Sequence, residues 1–379
     1  MSKNIEIREL SLTKKDITKF VKFGIDLYKG NDCYVPPLVF DEVATFLPDK
    51  NPAFDFCEAA LFMAYRDGKP VGRVAAMVNK KVNERTGKKE VRFGNFDFID
   101  DMEVSGALLD AVAAWGKKRG LDYMIGPMGF TDMDHEGMLT FGFDELGTMA
   151  TIYNYPYYPQ HLENMGFEKA AEWVEYRMTV PDKVPDKYMR IADIVSKKYG
   201  LKCAELTNRK LLKERYGKAL FDLINRAYDN LFGYSPLTDK QIEYYIEQYL
   251  GLIRLDCICV IVDKDDKLVG IGISMPSLSR ALQKSGGKLF PFGWIHLLKA
   301  IKGKNDIVDL MLVAIEPEYQ NKGVNALLFS HLLPNYIKNG YEFAESNLEL
   351  EDNTAVQLQW QYFDRRLHRR RRCYGKAID

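Results

Sequence analysis

The chain is poor in cysteine and histidine, with six of the first (Cys33, Cys57, Cys203, Cys257, Cys259 and Cys373) and five of the second in 379 residues. Six scattered thiols make no disulfide scaffold for a chain of this size. Cys257 and Cys259 lie in an apolar run whose alternation puts both on one strand face, and all six are read as buried reduced thiols. Long apolar runs are also missing. No stretch of 18 apolar residues occurs, which argues against a membrane-spanning helix. The opening MSKNIEIREL carries charge where a signal peptide has an apolar core, so a cytoplasmic protein is expected. Net charge is absent too: 53 Lys and Arg balance 53 Asp and Glu. The whole-chain balance therefore does not suggest nucleic-acid or membrane binding, and any such role needs a local patch. Asp132, Asp134, His135 and Glu136 crowd together without EF-hand or zinc spacing, so no metal site is expected. His161 and His331 fall on helices and read as structural.

What is present is material for two cores, since 46% of the residues are hydrophobic. An internal repeat at an offset of about 200 residues supports two domains. Leu27-Tyr28 and Val35-Pro36-Pro37-Leu38 parallel Ala227-Tyr228 and Tyr234-Ser235-Pro236-Leu237. The hairpin Leu61–Tyr65, Arg66-Asp67-Gly68-Lys69, Val71–Val74 parallels Cys257–Val262, Asp263–Lys267, Val269–Gly272. Gly106-Ala107-Leu108-Leu109 and a helix ending at Gly120 parallel Asn325-Ala326-Leu327-Leu328 and a helix ending at Gly340. The offset slips because the second half inserts Arg280–Lys304. It returns because the first half inserts Met128–Met149. The fold class is therefore α/β, with two tandem copies of one unit covering 1–180 and 181–379, joined by the proline-bearing linker 180–185. A helix over Asp186–Tyr199 and a strand over Leu201–Leu206 open the second copy.

The sharpest local signal is Asp309-Leu310-Met311-Leu312-Val313-Ala314-Ile315-Glu316-Pro317-Glu318-Tyr319-Gln320-Asn321-Lys322-Gly323-Val324-Asn325-Ala326-Leu327-Leu328. A strand enters a proline turn, then a glycine-bearing loop opens an amphipathic helix. Free N–H groups and the helix dipole at such a start favour an anion, above all a diphosphate. Gly323 lets a phosphate approach the backbone, and Lys322 can pair with its charge. Neither a GxxxxGK[ST] nor a GxGxxG pattern is present.

This run resembles the coenzyme A motif of the GNAT acyltransferase superfamily, Gln/Arg-x-x-Gly-x-Gly/Ala, in the order of elements around it as well as in the motif. The resemblance covers 208–378 and, through the repeat, a degenerate copy in the first half. It implies two mixed sheets flanked by helices and an acyl-coenzyme A substrate, acetyl or longer, with no metal. It implies that the backbones of Val313 and Ile315 pair with the pantetheine arm. The amides of Gln320, Asn321, Lys322, Gly323, Val324 and Asn325 would hold the pyrophosphate, and Asn353 opens the next helix. Asp309 falls where the family often carries a glutamate base. Period-2 alternation places it on one strand face with Met311, Val313 and Ile315, with Glu345 and Glu349 as alternatives. Asn325 departs from the small sixth residue of the motif. The family's acid tyrosine is replaced by Trp360, leaving Tyr362 as the nearest substitute. The first copy carries Asp97, Asp100, Asp101 and Glu103 where its pyrophosphate loop would be, so one coenzyme site, in the second half, is expected. Gly323→Glu is expected to abolish binding with little loss of stability.

Three segments remain. The polar-aromatic loop 128–143 with Asn154–Tyr158 reads as a pocket wall for acceptor recognition. The apolar, lysine-flanked stretch 289–302 reads as a helix covering the sheet, with an acyl tunnel or a membrane surface as alternatives. The run Arg365–Arg372 reads as a solvated edge strand open to coenzyme phosphates, an acidic carrier or an anionic surface. The function expected is transfer of an acyl group from coenzyme A to a small-molecule, lipid or peptide amine. The competing readings are a tandem aminoacyl or long-chain acyl transferase using a tRNA or carrier-protein donor, and a non-catalytic acyl-coenzyme A module.

Overall fold

The computed structural model describes the backbone over residues 5–250 and 253–378. The chain begins β1 (Glu6–Leu10), α1 (Lys14–Leu27), α2 (Val39–Thr45), β2 (Cys57–Arg66), β3 (Lys69–Asn79), α3 (Lys80–Thr86) and β4 (Glu90–Phe98). It continues α4 (Met102–Lys117), β5 (Tyr123–Gly126), β6 (Met138–Phe141), α5 (Tyr157–Asn164) and β7 (Glu168–Thr179). Then come α6 (Asp186–Tyr199), β8 (Lys202–Cys203), α7 (Arg209–Ala227), α8 (Asp239–Tyr245), β9 (Ile258–Val262), β10 (Leu268–Pro276), α9 (Ser279–Ser285) and α10 (Gly293–Lys302). Last are β11 (Ile307–Ile315), α11 (Asn325–Asn339), β12 (Phe343–Ser346), β13 (Glu349–Leu350), α12 (Thr354–Gln357) and β14 (Arg365–Ala377).

Two compact units result, and they are not two continuous halves. Unit 1 is 1–174 with 279–297 and 369–379, and unit 2 is 175–278 with 298–368. The second half's insertion and the C-terminal strand thus belong largely to unit 1.

In unit 1 the strand order is β1-β2-β3-β4-β5-β14. The β2–β3 hairpin turns through Asp67 and Gly68, both at positive φ (51° and 75°), as an Asp-Gly turn requires. Aromatic and aliphatic residues cover the sheet, among them Phe93, Phe98, Leu108 and Tyr158 in one cluster and Phe20, Phe46, Met63 and Phe130 in another. The segment read as a pocket wall supplies β6, which pairs with β14. Asn154 fixes it by accepting from the Leu139 N–H and donating to the Leu139 carbonyl.

The basic run departs from expectation. β14 pairs with β5 through Tyr374–Ala377 and with β6 through Arg370–Arg372, so it is no edge strand here. Alternation buries Arg369 and Arg371, which donate to the carbonyls of Leu146 and Ile152. Arg370 and Arg372 instead clasp Glu172, Arg372 with two bonds of 2.8 and 2.6 Å. Two of the six guanidinium groups are thus committed inside the protein, while Arg366 is exposed and Arg365, Arg370 and Arg372 are half-buried. His161 is not partnerless either, as its ring nitrogens contact Ser105 Oγ at 2.9 Å and Asp100 Oδ1 at 3.0 Å.

In unit 2 the order is β7-β12-β11-β10-β9-β8, with β11 and β12 parallel inside an otherwise antiparallel set. α6 runs where expected and stops at Gly200, with φ of 66°. The strand expected over 201–206 shrinks to the two residues of β8. α6 and α11 bury Tyr188, Val195, Leu328 and Leu332 against Val308, Cys259 and Ile261 of the sheet.

Candidate active site

β11 and β12 pair only from Ile307↔Phe343 to Leu310↔Ser346. Beyond Leu310, β11 continues for five residues alongside β10 alone. A β-bulge coincides with the parting: Ile273 faces Leu312 while Ser274 faces Leu310, so Met311 is the extra residue. The parallel pair therefore opens into a gap, one side of which is the backbone of 311–315. The Met311 carbonyl accepts from Asn347 Nδ2 (3.1 Å), that of Val313 from the Tyr228 hydroxyl (2.8 Å) and that of Ile315 from Gln320 Nε2 (3.0 Å). Side chains from the segment after β12, from the residue that ends α7 and from the loop after β11 thus each hold one carbonyl of this stretch.

The bulge overturns the expected placement of Asp309. Val308 and Leu310 before it, and Val313 and Ile315 after it, all pack on the α6–α11 cluster, so the alternation changes parity at Met311. Asp309 therefore faces the opposite side of the sheet from Val313 and Ile315. It is buried there at 5% exposure, in a row with Glu345 of β12 and Arg177 of β7. Glu345 Oε1 lies 3.5 Å from both Arg177 Nη1 and His368 Nε2, and His368 is 1% exposed. A row of two buried acids, a buried histidine and a half-buried arginine thus crosses the strands at the level where the gap opens. Sequence reasoning found Asp309 and Glu345 but missed Arg177 and His368, which only strand pairing brings in.

The loop after β11 is built to expose amides. Arg226 of α7 grips Glu316 at its start, with Nε 3.1 Å from both carboxylate oxygens. Asn321 (φ 59°) and Gly323 (φ 78°) both take left-handed backbone, which turns successive N–H groups outward before α11 begins at Asn325. At the start of α11 the N–H groups of Ala326 and Leu327 bond back to the carbonyls of Gly323 and Val324, both at 3.0 Å, and the Gln320 N–H bonds to the Pro317 carbonyl, so the amides left to face an anion are those of 321–325. Lys322 is exposed, its ammonium 5.6 Å from the ring centre of Tyr199 and 5.7 Å from that of Tyr319. Gly323 is less tolerant than expected. A Cβ there would lie 3.3 Å from Ile191 and 3.5 Å from Val195 of α6, on backbone that L-residues seldom adopt, so Gly323→Glu strains the fold as well as repelling an anion.

Asn353 caps α12, accepting from the Val356 N–H at 3.4 Å. Tyr362 is 50% exposed; its ring lies edge-on to Tyr188, with the Lys187 ammonium 3.5 Å above it. Trp360 points inward and donates its N–H to Glu349 Oε1 at 2.7 Å. Glu349 is 7% exposed, and its Oε2 has no hydrogen-bond partner. Burial pushes its pKa up to about 7, opposed in part by the Trp360 N–H, the Ser346 hydroxyl and the Arg365 charge. A carboxyl that holds its proton near neutrality therefore stands directly behind the tryptophan that replaced the expected tyrosine.

In unit 1 the corresponding helix start is self-occupied. The Asp101 side chain accepts from the Glu103 N–H and takes Arg66 Nη1 at 2.6 Å. A cavity of about 990 Å³ also lies in unit 1, bordered by Lys14, Lys15, Lys19, Lys22, Met63 and Ile99, and shares no residue with the gap of unit 2. No helix of the described residues is long and apolar enough to cross a membrane.

No protein-family model matches the chain. It is 28% identical over 373 residues to protein YghO of Escherichia coli (strain K12), covering 97% of this chain and 94% of that protein. It is 26% identical over 303 residues to a bacterial ceramide synthase of Caulobacter vibrioides (strain NA1000 / CB15N), covering 77% and 75%. Among solved structures it matches a tandem GNAT protein from the clavulanic acid biosynthesis pathway with a TM-score of 0.56, at 13% identity and over 99% of both chains. A GCN5-related N-acetyltransferase from Sphaerobacter thermophilus matches with a TM-score of 0.53, at 10% identity and over 99% of this chain and 96% of that one. With the gap, the bulge and the loop in unit 2, these likenesses establish that the chain carries the tandem fold of the GCN5-related N-acetyltransferases.

Proposed function

We propose that the protein is an acyl-coenzyme A-dependent N-acyltransferase whose chemistry lies in unit 2 and whose acceptor is a lipophilic amine. The observation that carries this reading is the parting of β11 from β12 at the Met311 bulge, immediately before a loop with two left-handed residues and a helix start. The pyrophosphate rests on the amides of 321–325 with Lys322 beside it, Val313 and Ile315 line the pantetheine arm, and Asn353 borders the far side. The amine nitrogen attacks the thioester carbonyl carbon, the C–S bond breaks, and an oxyanion forms in between that a backbone N–H of the gap stabilises. Asp309, supported by Glu345 and His368, takes the proton from the amine. Glu349 rather than Tyr362 supplies the proton to the leaving thiolate, because it is buried and still protonated near neutral pH. Unit 1, its own helix start closed by Asp101, serves acceptor recognition or scaffolding.

Asp309→Asn is expected to lower kcat by about 10² to 10³ with the coenzyme Kd unchanged. Single-turnover rates beside equilibrium titration check this; wild-type rates would remove Asp309 as the base.

Two observations support a lipophilic partner. A ceramide is a fatty amide of a long-chain amine, and a protein named as a ceramide synthase is among the relatives. The segment expected to cover the sheet also does so only in part. Leu297 is buried, while Phe290 is 79% exposed, Phe292 68% and Trp294 45%, with Lys288 next in sequence. Exposed aromatics flanked by lysine suit the surface of a lipid layer. Replacing Phe290, Phe292 and Trp294 together by serine is expected to weaken binding to anionic phospholipid vesicles about tenfold or more in a flotation assay, while turnover on a soluble short amine persists. Undiminished flotation would remove the lipid-surface role. A tRNA or carrier-protein donor would have Arg366 and the half-buried Arg365, Arg370 and Arg372 to contact, since Arg369 and Arg371 are buried.

A further inference from the structure

Three residues distant in sequence converge in unit 2: Cys203 of β8, Cys259 of β9 and His331 of α11. One ligand atom from each lies within 4.8 Å of the other two, and the two Sγ atoms are 3.5 Å apart. Pairing of β8 with β9 in the register Cys203↔Ile261 sets Cys203 and Cys259 on neighbouring strands two positions out of step. α11 then crosses this face. The Leu327 carbonyl, one turn before His331, lies 3.7 Å from Cys203 Sγ, which brings the imidazole to the thiols. The three residues read as structural in sequence because the spacings between them match no metal motif.

We propose that Cys203, Cys259 and His331 form a site for a thiophilic transition-metal ion of the zinc class, with three protein ligands and a fourth position open to solvent. The geometry supports it. A tetrahedral zinc ion with bonds of about 2.3 Å to sulfur and 2.0 Å to nitrogen sets two sulfurs roughly 3.8 Å apart, within about 0.3 Å of the 3.5 Å between Cys203 and Cys259. The chemistry supports it too, since two thiolates and an imidazole select zinc, cobalt or cuprous ions over magnesium or calcium. Cys259 is buried, while Cys203 and His331 are half-buried, so the site is anchored in the core yet open to an incoming ion. A bound ion would tie the two-residue strand β8 to β9 and to the helix whose start forms the candidate anion site. The proposal stands on these three residues and is independent of the acyl-transfer reading.

The test is titration of the reduced, metal-stripped full chain with cobalt(II), followed by zinc(II). The expected result is a thiolate-to-cobalt charge-transfer band saturating at one equivalent, bleached by zinc, with the melting temperature raised by either ion. Cys203→Ser, Cys259→Ser and His331→Gln should each weaken binding at least a hundredfold. His331→Gln serves as the control for folding, because it leaves both thiols in the core. No band in the reduced wild type, or a band that survives all three substitutions, would overturn the proposal. A Cys203–Cys259 disulfide in protein isolated without reductant, with no metal uptake after reduction, would overturn it in favour of a redox pair.

Discussion

Asn325→Glu is expected to weaken coenzyme A binding roughly a hundredfold while leaving the fold as stable as the wild type or slightly more so. Asn325 opens α11, where the helix dipole creates positive potential even though the N–H groups of Ala326 and Leu327 bond back to Gly323 and Val324. A carboxylate there satisfies that potential internally, a substitution that by itself stabilises a helix by about 0.3–1 kcal/mol. The same carboxylate then stands against the coenzyme's pyrophosphate. Like charges a few ångströms apart at a protein surface repel by about 3 kcal/mol, which is about a hundredfold in Kd. The side chain is half-buried on helical backbone, so no left-handed strain enters, in contrast to Gly323. Isothermal titration beside thermal melting checks both halves of the expectation. Unchanged affinity would show that the anion does not bind at this helix start.

Glu349→Gln is expected to stabilise the protein at alkaline pH and to impair turnover. The carboxyl titrates at about 7 in the fold against 4.5 for its ordinary value, so the folded state holds a proton that the unfolded chain releases. Below 4.5 both states are protonated and the group costs nothing. As pH rises from 4.5 to about 7 the unfolded state ionises first, and stability falls. Above 7 the fold carries the full cost of a buried charge, about 3 kcal/mol for a shift of this size. Glutamine keeps the acceptor for the Trp360 N–H and never ionises, so its advantage should be largest near pH 8.5 and nearly gone at pH 4.5. Denaturant unfolding at the two pH values measures this directly. A difference independent of pH would mean that Glu349 is not the titrating group. If Glu349 is also the proton donor, kcat should fall tenfold or more with KM little changed.

The parts of this molecule written locally were readable in the sequence. The Asp-Gly hairpin, the glycine ends of α6 and α11 and the loop at 320–325 are each set by neighbours along the chain, and each lies where expected. What depends on pairing was not. Met311 is the bulged residue because of its register with β10, and one inserted residue moves Asp309 to the other side of the sheet. Eight residues with six arginines look solvated until β14 is seen between strands, with the carbonyls of Leu146 and Ile152 waiting for Arg369 and Arg371. The aromatics at 290–294 deceived in the opposite sense: their hydrophobicity suggested burial, and the fold leaves them exposed. The meeting of Cys203 with Cys259 and His331 needs a two-residue strand and a crossing helix, neither of which leaves a periodic trace.

The central claim is one acyl-coenzyme A site at the gap and helix start of unit 2. It is tested most directly by titrating the purified full chain with coenzyme A, acetyl-coenzyme A and palmitoyl-coenzyme A, with Asn325→Glu in parallel. The expected result is one site per chain, tightest for the long acyl chain and lost in the variant. No binding of any of the three, or equal binding by wild type and variant, would contradict it.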